Sequence, residues 1–379
     1  MYYKNALIFF ADRGFVPGGF RVENGVFAEF TPPVRPGPGA VDLAQAKVIP
    51  GLVDIHTHGN SGADFSDGDA EGLRRMASYL AAHGVTSFCP TSMTLPCDTL
   101  AAAFATAAKL RADRPEGCAR VAGIHMEGPF FSEKKRGAQN AAYLRLPDFE
   151  AFRALYEGCG GLVRIVDVAP ELKGAVEFTR QASKLCTVSV AHTDADYEQT
   201  RAVYEAGAGH LTHMYNAMPP IHHRKPGVIG AAAENERVFA ELICDGLHVH
   251  PSAVRMAFRL FPGRICLISD ALRCCGMPDG EYELGGQKVF LSGGVARLSD
   301  GTIAGAASNL YQDLRNAVSF GIPEAEAIRA ATVNPAREIG REAEIGSIGP
   351  GMAADFVVCG PELELREVYI AGERVSPIL

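Results

Sequence analysis

The stretch "PGLVDIHTHG", residues 50–59, decides how the rest of the chain is read. It is a short apolar run that should finish in a turn. It finishes instead in His56 and His58, two positions apart. Residues i and i+2 of a strand face the same side, so these two imidazoles can chelate together. The question is whether other strands of the chain end in the same way.

Outward from this stretch, strand-like runs alternate with helical ones. The runs are "VIPGLVDIHTH", "GVTSFCPT", "RVAGIHMEG", "GLVRIVDVAPE", "LCTVSVAHTD", "GHLTHMYNA", "FAELICDGLH" and "RICLISDAL". Between most of them lie amphipathic stretches such as "AEGLRRMASYLAAHG" and "SAVRMAFRLFPG". Eight such βα units close a parallel barrel, whose active site gathers at the C-terminal strand ends. After the eighth run, "GEYELGGQKVFLSGGVARLSDGTIAG" carries hairpin signals, and a helical pair is predicted over roughly 309–340. "NALIFF" and "GVFAEF" precede a Pro/Gly stretch, "TPPVRPGPGA", at 31–40, and the tail from residue 346 is again β-like. The expected architecture is α/β: a distorted (β/α)8 TIM-type barrel over 48–343, with a small β-sandwich domain built from 1–47 and 344–379.

Ligand-type residues fall at the predicted strand ends. His56 and His58 end the first, Glu127 the third, His192 the fifth, His213 the sixth and Asp270 the eighth; the seventh runs into Asp245 and His248. Singly, each has an ordinary reading. Glu127 could cap a helix or pair with a base, Asp270 could be an N-cap, and His83 and His210 are read as hydrogen-bonded structural residues. Jointly, imidazoles and carboxylates converging on one mouth indicate a metal site, with zinc, iron and manganese all compatible. Adjacent Cys274 and Cys275 make a poor chelate, and most cysteines read as small buried apolar residues.

Composition narrows the class. The chain has 379 residues, 47% hydrophobic and 21% charged, with a net charge of −8, which argues against a nucleic-acid partner. The ten cysteines include no C-x-x-C and read as reduced thiols. No apolar run near residue 1 is long enough for a signal or a membrane span. A cytoplasmic homodimer is expected.

At "IHMEGPF", "AHTDAD", "THMYNAMPP", "HHRKPGVIG" and "DGLHVHP", together with the H-x-H and the "GMAADFVV" tail, the sequence resembles the amidohydrolase superfamily. Within it, the resemblance is to the N-acetylglucosamine-6-phosphate deacetylases, and it covers nearly the whole chain. It implies one or two divalent metals per subunit, zinc first. Glu127, His192 and His213 match the principal ligands, and His56 and His58 match the pair that holds a second metal in some members. Asp270 matches the catalytic carboxylate and is also a candidate metal ligand, and His248 matches a catalytic group contacting the acetyl region. Ala138, Gln139, Asn216, Ala217, Arg224 and the stretch Ile303, Ala304, Gly305, Ala306 match sugar-phosphate contacts; Gln139 stands where some members have His. The implied reaction is hydrolysis of an N-acetylated amino-sugar phosphate. N-acetylgalactosamine 6-phosphate is the nearest rival substrate. A deaminase-type relative would carry a Lys at a strand end, and none is present. A non-catalytic barrel would be expected to lack ligands.

Overall fold

The computed structural model describes residues 1–31 and 39–375; most of the Pro/Gly stretch at 31–40 therefore lies outside the described residues. The eight expected barrel strands are present: Leu52–Thr57, Val85–Ser92, Ile124–Met126, Val163–Val168, Thr187–Val190, His210–Leu211, Phe239–Ile243 and Ile265–Ile268. They are parallel and neighbour one another in chain order. Between the eighth strand and the first, a side chain does the work of a ladder. The Asp54 carboxylate accepts from Ser269 N at 3.4 Å and from Ser269 Oγ at 2.6 Å, while Asp270 N donates to His56 O at 2.9 Å.

Inside the barrel, alternation separates two layers. Ile165, Phe239 and Cys266 belong to a buried apolar cluster low in the barrel, while Asp167 and Glu241, two residues further along their strands, are polar and fully buried. Helix Val333–Glu338 closes the floor with Ala336, which joins that cluster. The expected helical pair over 309–340 is three helices, Leu310–Ser319, Glu324–Ala331 and Val333–Glu338. Pro335 has no N–H to donate back to Ala331, so one continuous helix cannot run through Thr332.

The chain ends share one eight-stranded sheet. Its two ends fold over one another. Phe20 meets Phe356 with ring centroids 5.2 Å apart, and Tyr3 meets Tyr369 at 5.6 Å, although these strands are not adjacent pairs. The result is a small sandwich around an aromatic core. The first strand run read from the sequence is in fact two strands. Lys47–Pro50 pairs with Leu7–Ile8 and with Phe356–Cys359 in the terminal sheet, and the barrel begins at Leu52. Backbone pairing thus carries the terminal sheet past the expected boundary at residue 47. After the eighth strand, Gly280–Leu284, Gln287–Ser292 and Val295–Leu298 form an antiparallel sheet. It packs Leu284, Val289 and Ala296 against Met93, Leu272 and Ala304.

Candidate active site

His56 and His58 leave the first barrel strand buried, with their Nε2 atoms 3.3 Å apart. Glu127, just past the third strand, reaches His192 Nε2 at 3.1 Å and His213 Nε2 at 3.2 Å through Oε1, and His58 Nε2 at 3.3 Å through Oε2. Asp270 Oδ1 lies 3.2 Å from His58 Nε2 and 3.5 Å from His56 Nε2. Six side chains from five strand ends thus meet in one knot. His192, His213 and Asp270 all sit at positive φ (+43°, +28° and +48°). The chain leaves these strands through left-handed turns, a conformation that non-glycine residues adopt at some cost in strain.

The donor set fits a divalent cation. His56 Nδ1 faces Glu241 Oε2 at 2.9 Å, His58 Nδ1 faces Thr91 O at 3.1 Å and His192 Nδ1 faces Lys135 O at 2.9 Å. With Nδ1–H donating in each, Nε2 carries a bare lone pair. Such lone pairs then face one another in His56 and His58, 3.3 Å apart, and the His192 lone pair lies 3.1 Å from His213 Nε2. Lone pairs this close repel unless a positive charge lies between them. Two triads, His56–His58–Glu127 and Glu127–His192–His213, each place three ligand atoms within 4.8 Å of one another, with Glu127 common to both.

The electrostatics agree. Burial opposes charge on Glu127, but hydrogen bonds from His192 and His213 and the charges of His58 and His56 hold its carboxyl well below the usual range. Burial pulls the His58 imidazole down, yet the Asp270 hydrogen bond and the charges of Glu127 and Asp270 lift it to about 9. His213 is likewise lifted to about 9 against burial, chiefly by Glu127. The carboxylates here demand positive charge, and protons and a metal would compete for the same Nε2 atoms.

A polar layer lies beneath. Glu241, fully buried in the seventh strand, accepts from His56 Nδ1 and from His213 N at 3.0 Å, and lies 3.2 Å from His210 Nε2. His125 Nε2 lies 3.0 Å from Asp167 Oδ1. Reading the strand ends missed Asp54, His125, Asp167 and Glu241. The available signal was a charged or imidazole residue inside an apolar strand, as in "LVDIH" and "AELIC". His210 is the structural residue expected, bonded to Glu338 at 2.7 Å; so is His83, which hydrogen-bonds Tyr79 O at 2.7 Å.

The other expected residues have these contacts. Ala306 N donates to Asp270 O at 2.8 Å and Leu272 N to Ala306 O at 2.9 Å, so Ile303–Ala306 borders the Asp270 loop. Gly305 is at φ +52°, and a Cβ there would lie 2.8 Å from Asp270 O. Gln139 is buried against the cluster itself: its Nε2 donates to Glu127 Oε2 at 2.6 Å and its Oε1 accepts from Thr94 N at 2.8 Å. Ala138 O accepts from Gln287 Nε2 at 2.5 Å, which ties it to the antiparallel sheet. Asn216 Nδ2 donates to His213 O at 3.2 Å, and Ala217 O accepts from Thr193 N at 3.1 Å. His248 Nδ1 faces Asp245 Oδ2 at 2.7 Å, outside the metal-type triads. Arg224 is exposed, beside His223 Nε2 at 2.6 Å. All ten cysteines are free thiols, and most are buried.

A sequence model of the amidohydrolase family matches residues 47–375. The N-acetylgalactosamine-6-phosphate deacetylase of Escherichia coli O157:H7 is 36% identical over 359 residues, 94% of each chain. The N-acetylglucosamine-6-phosphate deacetylase of Bacillus subtilis (strain 168) is 38% identical over 328 residues, covering 85% of this chain and 83% of that protein. The crystal structure of N-acetyl-D-glucosamine-6-phosphate deacetylase from Mycobacterium smegmatis superposes with a TM-score of 0.91 at 33% identity, covering 99% of this chain and 100% of that one. A likeness that runs nearly end to end, on a barrel whose strand ends converge in this way, has one reading: the chain belongs to the amidohydrolase family.

Proposed function

We propose that this protein is a metal-dependent hydrolase that removes the acetyl group of N-acetylglucosamine 6-phosphate, giving glucosamine 6-phosphate and acetate. The observation that carries the reading is the shared Glu127 carboxylate, with His192 and His213 on one side, His58 on the other, and Asp270 alongside. Relatives of that name at 36% and 38% identity supply the substrate class. Glu127, His192 and His213 would hold the principal metal, and His56 and His58 a second. The donor set suits zinc, and also iron or manganese.

When bound, such a metal activates water, lowering its pKa by roughly 8 units in the best cases, and polarises the amide carbonyl. The protein's own groups do the rest. Asp270 stays ionised: burial opposes its charge, but His56 and His58 outweigh that and hold it below the usual carboxylate range. It can therefore take a proton from the attacking water and return it to the leaving amine. Asp245 orients the His248 ring through Nδ1, which leaves Nε2 to contact the acetyl region of the substrate. Arg224 suits the phosphate because its planar fork binds two oxygens at once.

N-acetylgalactosamine 6-phosphate is the second reading, favoured by the Escherichia coli relative that matches 94% of the chain. A kinetic comparison of acetate release from the two sugar phosphates by the metal-loaded enzyme tests both. Turnover of neither would reject the activity; a higher kcat/KM for the galacto substrate would reverse the assignment. For Arg224→Ala, KM for the phosphorylated sugar should rise far more than for the unphosphorylated one, because a lost charge-assisted hydrogen bond costs roughly 1.5–3 kcal/mol. Equal effects would remove Arg224 from phosphate binding. We further propose a homodimer. Met256 and Leu260 leave an apolar edge exposed on helix Pro251–Leu260, and sedimentation would show the monomer if that edge is unpartnered.

A further inference from the structure

At the opposite end of the barrel from the histidines, a cavity of 940 Å³ lies between the barrel floor and the terminal sheet. Ser87 from the second barrel strand, Arg111 and Arg114 from the end of helix Cys97–Asp113, and Arg341 line it. Ser87 is four residues before Thr91, which contacts His58. At a strand rise of about 3.3 Å per residue, the cavity stands roughly 13 Å from the catalytic layer along that strand.

The cavity is rich in arginine. Five arginines and three glutamates line it, in a chain of net charge −8. Arg120, Arg341 and Arg374 have carboxylate partners in Asp355, Glu344 and Glu367. Among the described residues, Arg111 and Arg114 pair with no carboxylate; Arg111 donates only to the carbonyls of Val121 at 2.7 Å and Ala122 at 3.1 Å. Burial first, then repulsion from Arg341 and Arg164, lowers the proton affinity of Arg111. Arg111, Arg114 and Arg341 thus line the cavity with Glu344 as the one carboxylate paired to any of them. Two buried polar atoms of the lining residues have no hydrogen-bond partner among the described residues, Ser87 Oγ and Arg341 Nε. Ser87 is only 1% exposed and lines the cavity wall.

We propose that this cavity binds a phosphate monoester, with the phosphoryl group against Arg111, Arg341 and Ser87. Guanidinium forks match phosphate oxygens in pairs, and Arg111 and Arg114 have no carboxylate partner to displace among the described residues. The Ser87 hydroxyl gains an acceptor. The volume admits a sugar-sized ester as well as the phosphoryl group. The site is independent of the catalytic reading, since it shares no residue with it.

Equilibrium dialysis of the full, metal-loaded chain against labelled inorganic phosphate, and separately against glucose 6-phosphate, tests the proposal. Wild type should hold one more phosphate per chain than Arg111→Gln, with affinity at this site at least tenfold weaker in the variant. Phosphate held at the catalytic mouth is common to both proteins and cancels. Arg111 also ties down two carbonyls; if its variant does not fold, Arg341→Gln and Ser87→Ala stand in for it, with unchanged kcat as the sign of a native fold. Equal phosphate stoichiometry and affinity in wild type and every folded variant would overturn the site. Tighter binding of inorganic phosphate than of glucose 6-phosphate at this site would overturn the assignment to an ester.

Discussion

Asp270 sits at φ +48° with its carboxylate 3.2 Å from His58, at a place where only a proton-accepting group completes the proposed chemistry. Asp270→Asn keeps the shape and removes the acceptor. Its kcat should fall about 10²- to 10⁴-fold, with KM and bound metal nearly unchanged. A variant keeping more than a tenth of wild-type kcat would remove Asp270 from the reaction. Glu241 acts one step further away. It orients His56 through Nδ1 and holds the His213 backbone, so it reaches one ligand of each triad. Loss of such a supporting carboxylate typically weakens metal binding about 10- to 100-fold. Glu241→Gln should show that loss in a chelator competition, read as affinity and not as activity. Wild-type affinity with a lowered melting temperature would make Glu241 a packing residue only.

The elements that carry these residues are held by close backbone approaches. The segment Ile303–Ala306 lies against the Asp270 loop through two backbone hydrogen bonds. Gly305 allows this because it has no Cβ to meet Asp270 O and the Leu272 side chain, each at 2.8 Å, and because its φ is +52°. Gly305→Ala should destabilise the fold by about 1–3 kcal/mol and lower kcat by displacing Asp270. Calorimetry and turnover on this one variant check both. A native melting temperature with native turnover would show that the loop yields without moving Asp270.

Across the whole molecule, the barrel floor is joined to helix Val333–Glu338 through a buried charge network. His210 Nδ1 meets Glu338 Oε2 at 2.7 Å and His210 Nε2 meets Glu241 Oε1 at 3.2 Å. Burial pulls the imidazole down, but the two glutamates overcome it and lift it from 6.5 to about 10. The folded state thus binds this proton more tightly than the unfolded state does. The stabilisation is fully present below about pH 6.5 and is lost as pH rises through 10. The melting temperature should therefore fall over that window, and fall less steeply in His210→Gln; parallel slopes would contradict the linkage. Metal has its own global effect. A site held at about 1,000-fold above Kd adds roughly 4 kcal/mol to stability. Chelation should therefore lower the melting temperature by several degrees, and an unchanged transition would reject a bound metal.

The sequence by itself determined the barrel and the residues at its mouth. Both are local signals: a period-two apolar run fixes a strand and its faces, and the residue that ends the run is the one presented at the rim. His56, His58, Glu127, His192, His213 and Asp270 are therefore legible one strand at a time. Only the tertiary structure decided what stands beneath and beside them. Glu241 meets His56 across 185 residues, and Asp54 closes the seam with Ser269 across 215. Gln139 hydrogen-bonds the Glu127 carboxylate, and Lys47–Pro50 joined the terminal sheet. These outcomes depend on which strands become neighbours and on the requirement that a buried polar atom find a partner. That requirement acts across space, so no run of adjacent residues displays it.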